Sequence, residues 1–140
     1  MDMLERNKAT VRRVFDEGFS QGRIDVVDEA LSPDAVDRHP FEPGEADFRE
    51  HLKAAITMFR DAMPDLLARV EDIVAEGNTV AVRVRMTGTH TGHQLFGVPA
   101  AGRSVDIEQF HFIHTDDEGH GVRHWANVGV AELRQQISAA

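Results

Sequence analysis

The hydrophobic pattern of this chain changes period near residue 65. Before that point apolar residues recur three and four apart, as on one face of a helix; beyond it they alternate, as on one face of a strand. Leu4, Val11, Val14, Phe15 and Phe19 predict a first helix that Gly22 stops. Residues 24–31 predict a second, short helix closed by Ser32-Pro33, and Ala35 to His39 a short strand ended by Pro40. Phe48, Leu52, Ile56, Phe59 and Met63 form one apolar stripe and predict a third helix. Pro64 ends it, because proline disfavours helical angles in the residue before it.

The second half reads as strands. Leu66 to Glu76 is the first, and its apolar positions change parity between Val70 and Ile73, which predicts a bulge. Gly77-Asn78 makes a turn. Val80, Val82, Val84 and Met86 then alternate with Ala81, Arg83, Arg85 and Thr87, the pattern of a half-buried antiparallel strand. Val105–Thr115 is a long strand, residues 116–121 a turn, Val122–Val128 a last strand and Val130–Ile137 a final helix. Between two strands lies a glycine-punctuated stretch, Gly88 to Arg103, which either lines or covers something or is an ordinary hairpin connection. Helices followed by hairpin-joined strands is an α+β order. The expected architecture is one domain over residues 1–140, a curved antiparallel sheet with N-terminal helices on one face enclosing an apolar pocket.

Charge narrows the partners. With 15 Lys and Arg against 24 Asp and Glu, the formal net charge is −9, which argues against a nucleic-acid partner and suits a neutral or weakly charged ligand. There is no cysteine, so disulfides and thiolate sites are excluded. No 18-residue apolar run and no signal-peptide pattern is present, so a cytoplasmic location without membrane contact is expected. The chain has no phosphate-binding glycine loop, zinc-ligand spacing or nucleophile elbow. His90 and His93 stand three apart on a loop without a carboxylate partner, and no metal site is predicted there.

Strand parity sorts the remaining candidates. On the last strand Trp125, Asn127 and Gly129 share one face, opposite His124, Ala126 and Val128. On the strand before it Glu108, Phe110, Phe112 and His114 share a face, opposite Ile107, Gln109, His111 and Ile113. Aromatic walls with a few polar groups suit a small-molecule site, so the Trp125 and Phe110/Phe112 faces are the expected pocket walls, with ordinary core packing as the alternative. Asp37 and His39 point the same way if extended, a pairing that keeps a histidine basic, or simply a surface pair. Arg83 and Arg85 read as a solvated or interface face of their strand.

With those residues in place, the chain resembles the SnoaL-like polyketide cyclase family of the nuclear transport factor 2-like superfamily. The resemblance rests on Asn7-Lys8, Asp37-Arg38-His39-Pro40, Met63-Pro64-Asp65-Leu66, the run Val70 to Asn78, the loop Gly88 to Arg103, and His124-Trp125. It implies a cone-shaped α+β barrel with a deep apolar pocket, a homodimer or higher homo-oligomer, and acid/base chemistry without a cofactor on a polyketide-like small molecule. Cyclases of this family close a ring by an aldol step that begins when a pocket carboxylate removes a proton beside a carbonyl. That carboxylate usually sits four residues after the last-strand tryptophan, where this chain has Gly129. The resemblance also places His39 and His114 at positions where the family presents basic pocket residues. The expected catalytic set is therefore His39, His114 and, as a replacement carboxylate, Glu108. Asp37, Phe59, Met63, Phe110, Phe112, Trp125 and Asn127 are the expected substrate contacts. Two other readings stay open: a pocket that cyclises its ligand by shape alone, and a binding protein or scaffold without turnover.

Overall fold

The computed structural model describes residues 2–138. Its elements follow the order α1 (Met3–Arg13), α2 (Asp25–Ala30), β1 (Leu31–Asp37), β2 (Ala46–Asp47), α3 (Phe48–Ala62), β3 (Leu67–Glu76), β4 (Thr79–His90), β5 (Arg103–Thr115), β6 (Gly121–Asn127) and α4 (Val130–Ile137). Two helices start on an aspartate with glutamate three residues on. Asp2 accepts from the Glu5 amide at 2.8 Å and Asp47 from the Glu50 amide at 3.0 Å, which satisfies donors that a helix start leaves free. The first helix runs on to Phe19 as expected, but its last stretch, Val14–Phe19, widens to a π-helix. Here Gly18 lies against α3, where a Cβ would meet Ile56 Cδ1 at 3.2 Å.

The strands form one six-stranded sheet in the order β2-β1-β6-β5-β4-β3. It is curved and open, with β2 and β3 as its edges. Every pair is antiparallel except β1–β6, which runs parallel and sets Asp37 beside His124. The expected bulge is present: Val70 pairs with Val84 and Asp72 with Arg83, so Glu71 is the extra residue.

Two boundaries near residue 31 differ from expectation. The second helix ends at Ala30, and the chain is already extended through Ser32-Pro33. The pairing of β1 with β6 breaks between Leu31 and Val36, so Pro33, which has no N–H to give, sits where that ladder asks for none. The strand then ends at Asp37 rather than His39.

The core lies between the inner face of the sheet and the helices. Phe48, Leu52, Ala55, Ile56, Phe59 and Ala62 of α3 are buried against it, as are Val80, Val82, Val84 and Met86 of β4. The glycine stretch continues β4 and its pairing with β5 through His90, and only the part beyond leaves the sheet. That part docks on the end of α3, with the Gly92 amide donating to the Ala62 carbonyl at 2.9 Å and the His93 amide to Asp61 at 3.0 Å. Those carbonyls lie in the last turn of a helix, where acceptors need partners from outside it.

Candidate active site

Parity correctly grouped the residues of β5 and β6, but the cavity lies on the face opposite to the one expected. It is enclosed by α1, α3, β1 and the inner face of β5 and β6, with Val14, Phe15, Phe19, Leu52, Phe59 and Ile113 among its apolar walls. Asp37, His39, His51, Gln109, His111 and His124 are its main polar lining. The cavity measures about 60 Å³, room for a few waters.

Glu108, Phe110, Phe112, His114, Trp125 and Asn127 are therefore corrected to the outer face of the sheet. Phe110 and Phe112 are 48% and 52% exposed. His114 packs edge-on against Trp125, with ring centres 4.7 Å apart. Glu108 pairs with Arg83 at 2.8 Å, and Asn127 accepts from the Gly129 amide at 3.1 Å. The reason is legible in the register. Phe110 stands opposite Arg83 and Glu108 opposite Arg85, so this face alternates aromatic rings with ion pairs to Asp72 and Asp106. Aliphatic Val105, Ile107 and Ile113 mark the other face as buried. Met63 is fully buried at the end of α3 and does not line the cavity, whereas Phe59 does.

The polar end of the cavity is built around one carboxylate. Asp37 is fully buried. Its Oδ2 lies 2.6 Å from His51 Nδ1, its Oδ1 lies 3.0 Å from His124 Nδ1, and the His39 amide donates to Oδ1 at 2.9 Å. Burial alone would push this carboxyl up. Hydrogen bonds from His124 and His51, the charge of His124 and the His39 amide outweigh burial and hold it far below the ordinary carboxylate range. Asp37 is thus an anion that only accepts, and each histidine nitrogen facing it carries a proton.

From His124 the network runs inward. His124 Nε2 lies 2.8 Å from His111 Nδ1, and His111 Nε2 lies 3.0 Å from Gln109 Oε1. The Gln109 amide nitrogen donates to the Val128 carbonyl at 3.2 Å. His111 is held well below the usual histidine range, first by burial and then by His124, with Asp37 opposing. At the other end, His51 Nε2 is shielded from solvent and has no hydrogen-bond partner. With Nδ1 facing Asp37, Nε2 is the ring nitrogen left without a partner. The Phe41 ring covers His51 edge-on at 4.9 Å and in turn packs against Phe96 at 5.3 Å.

The expected Asp37–His39 side-chain pair is not formed. Asp37 takes the His39 backbone amide, while His39 Nδ1 bonds the Ala126 carbonyl from the exposed rim of the cavity. Four residues of the network, His51, Gln109, His111 and His124, were not among the expected site residues. His51 could have been found three residues after Phe48 and one before Leu52, on the inward arc of α3. Gln109, His111 and His124 share their strand faces with Ile113 and Ala126. No group of histidine and acidic residues suited to holding a metal occurs among the described residues.

Gly129 stands apart from this network. It has φ +69° at the start of α4, and a Cβ there would lie 3.1 Å from the Glu108 carbonyl oxygen.

Comparison with known proteins agrees with this architecture. Over 114 residues the chain is 33% identical to the aklanonic acid methyl ester cyclase DauD of Streptomyces sp. (strain C5), covering 76% of this chain and 66% of that protein, just under two thirds of its length. It is 34% identical to the aklanonic acid methyl ester cyclase DnrD of Streptomyces peucetius, again over 76% of this chain and 74% of the relative. Its fold superposes on the crystal structure of a SnoaL-like protein from Jannaschia sp. CCS1 with a TM-score of 0.83 and 27% identity, over 100% of this chain and 96% of the other. Residues 9–137 match the SnoaL-like polyketide cyclase family, and the chain belongs to that family.

Proposed function

We propose that the protein is a cyclase that closes a ring in a polyketide-like small molecule, with His51 as the base. The observation that carries this reading is the buried Asp37–His51 pair, 2.6 Å apart, with Nε2 of His51 left without a partner. A histidine held in one tautomer by a buried carboxylate, its other nitrogen free beside an apolar cavity, is an arrangement for general acid/base chemistry. His51 Nε2 takes a proton from the carbon next to a substrate carbonyl. The resulting enolate attacks a second carbonyl of the same molecule and forms the new C–C bond. The alkoxide left behind takes the proton back from His51. The step is an isomerisation, so no atom is lost and no cofactor is needed.

In this reading the carboxylate expected four residues after Trp125 has its working counterpart in Asp37, on β1. The base role passes from His114, which faces away from the cavity, to His51, while His39 stands at the rim where substrate arrives. Phe41, which lines the cavity and covers His51, moves aside to admit a substrate larger than a few waters. The outer sheet face, with Phe110 and Phe112 half exposed beside Trp125, is where a second copy packs in a homodimer.

The test uses the substrate named for the two curated relatives. Purified protein is mixed with aklanonic acid methyl ester and the products are separated by mass and retention. A product of unchanged mass and altered retention, absent with His51→Gln, is expected. Quantitative recovery of starting material under conditions where DnrD converts it would exclude this substrate. Equal turnover by His51→Gln would exclude His51 as the base.

A further inference from the structure

The hydrogen-bond partners along the buried chain determine where its protons are. The Gln109 amide nitrogen must face the Val128 carbonyl, because that carbonyl can only accept. Gln109 Oε1 therefore faces His111, and His111 Nε2 must donate to it. A neutral imidazole has one N–H, so His111 Nδ1 is an acceptor and His124 Nε2, 2.8 Å away, must donate. Nδ1 of His124 must also donate, because it faces the Asp37 carboxylate. Both ring nitrogens of His124 are then protonated. With Asp37 ionised, every assignment that leaves both His111 and His124 neutral sets two acceptors against each other, at His111–His124, at Gln109–His111 or at Gln109–Val128.

We propose that His124 is a resident imidazolium, a positioning residue whose charge balances Asp37 and thereby keeps His51 unprotonated and able to accept a proton from substrate. The proposal rests on the reading of His51 as the base. The buried cluster is then electrically neutral, one anion and one cation, which is the form in which charges are tolerated away from water. Without the cation, Asp37 would draw a proton onto His51 and remove the lone pair that the reaction needs. The ring of Phe48 stacks on His124 with centres 4.5 Å apart and planes 9° apart, so an aromatic face meets the cation. The titratable groups facing His124 are Asp37 on β1 and His111 on β5; His51 on α3 reaches it through the shared carboxylate, and His39 through its backbone amide. His111 cannot take the charge instead, since it is buried against Phe15 and its hydrogen bonds go to His124 and Gln109 rather than to Asp37.

The test is nitrogen NMR of the full chain with ¹⁵N-labelled histidine, titrated from about pH 6 to pH 9, alongside turnover. One ring is expected to keep both N–H protons at pH 8, where exposed histidines are neutral. Gln109→Met frees His111 from donating at Nε2, and the His124 ring should then lose its second proton at a pH lower by about one unit or more. His124→Gln should abolish the signal and move the acid limb of kcat/KM up by about one pH unit, whatever its effect on the plateau. A mere packing defect would lower the plateau without moving the limb. Absence of any doubly protonated ring at pH 8 in the unaltered protein, or no change with Gln109→Met, overturns the proposal. The spectrum needs no substrate, so a failure of His51 as base appears in turnover alone and leaves the imidazolium result distinct.

Discussion

The carboxylate of Asp37, fully buried at the end of β1, lies 2.6 Å from Nδ1 of His51 on α3. The pair fixes which nitrogen of His51 is free. His51→Gln should therefore lower cyclisation by about 100-fold or more, the usual range for losing a general base. Asp37→Asn should lower it by a similar factor, because an amide no longer requires a proton on His51 Nδ1. Single-turnover measurements with aklanonic acid methyl ester check both, with circular dichroism to confirm that the fold survives.

Two depressed groups give the fold a pH dependence of known sign. His111 stays neutral in the folded chain, whereas in the unfolded chain it takes a proton near the reference value of about 6.5. The stability it contributes is present above that pH and is lost as pH falls below it. Asp37 adds a second loss, beginning below the unfolded carboxyl value of about 3.9. The slope for one such group is at most about 1.4 kcal/mol per pH unit. Thermal unfolding from pH 7.5 to pH 3 should show a fall in Tm that starts near pH 6.5. His111→Asn keeps an acceptor for His124 and removes the titrating ring, and should flatten the segment between about pH 6.5 and 5.

Gly129→Asp, which installs the carboxylate expected by resemblance, should not raise turnover. The position needs a left-handed backbone, and its Cβ would point at the Glu108 carbonyl rather than toward Asp37 or His51. A drop in Tm with no gain in rate is the expected outcome. A rate increase would show that the cavity reaches residue 129.

Gly92 is held by contact rather than by dihedral angle. A Cβ there would fall 1.9 Å from the Asp61 carbonyl oxygen, so the loop could not keep its bonds to the end of α3. Gly92→Ala should cost about 2 kcal/mol or more, roughly 6 °C in Tm. Gly97→Ala is the control for a glycine whose Cβ would meet nothing, though its φ of +81° still carries a smaller penalty.

The exposed aromatic pair on the outer sheet face gives an assembly prediction. Phe112→Glu should convert a dimer to a monomer in sedimentation or light scattering, with the secondary structure retained. An unaltered protein that is monomeric at tens of micromolar would remove this face from consideration.

Much of this molecule follows from the order of its side chains. The stripe from Phe48 to Phe59 made α3, the switch in parity after Val70 made the bulge at Glu71, and Val130–Ile137 became α4 as the periodicity required. Those features are local, set by spacings of two, three or four residues, and the α+β order follows from them. The site is not local. Asp37, His51, His111 and His124 come from β1, α3, β5 and β6, and only the parallel pairing of β1 with β6 brings Asp37 to His124. Alternation along a strand states which residues share a face; it does not state which face turns inward. Here aromatic residues suggested the Phe110 side, while the packed helices took the side with Val105, Ile107 and Ile113, because the ion pairs of Arg83 and Arg85 need water. Side-chain order was enough for the main helices and strands and for the family, though not for the two-residue β2 or the π-helix at Val14–Phe19. Tertiary structure decided which histidines are buried together, and so where the proton can go.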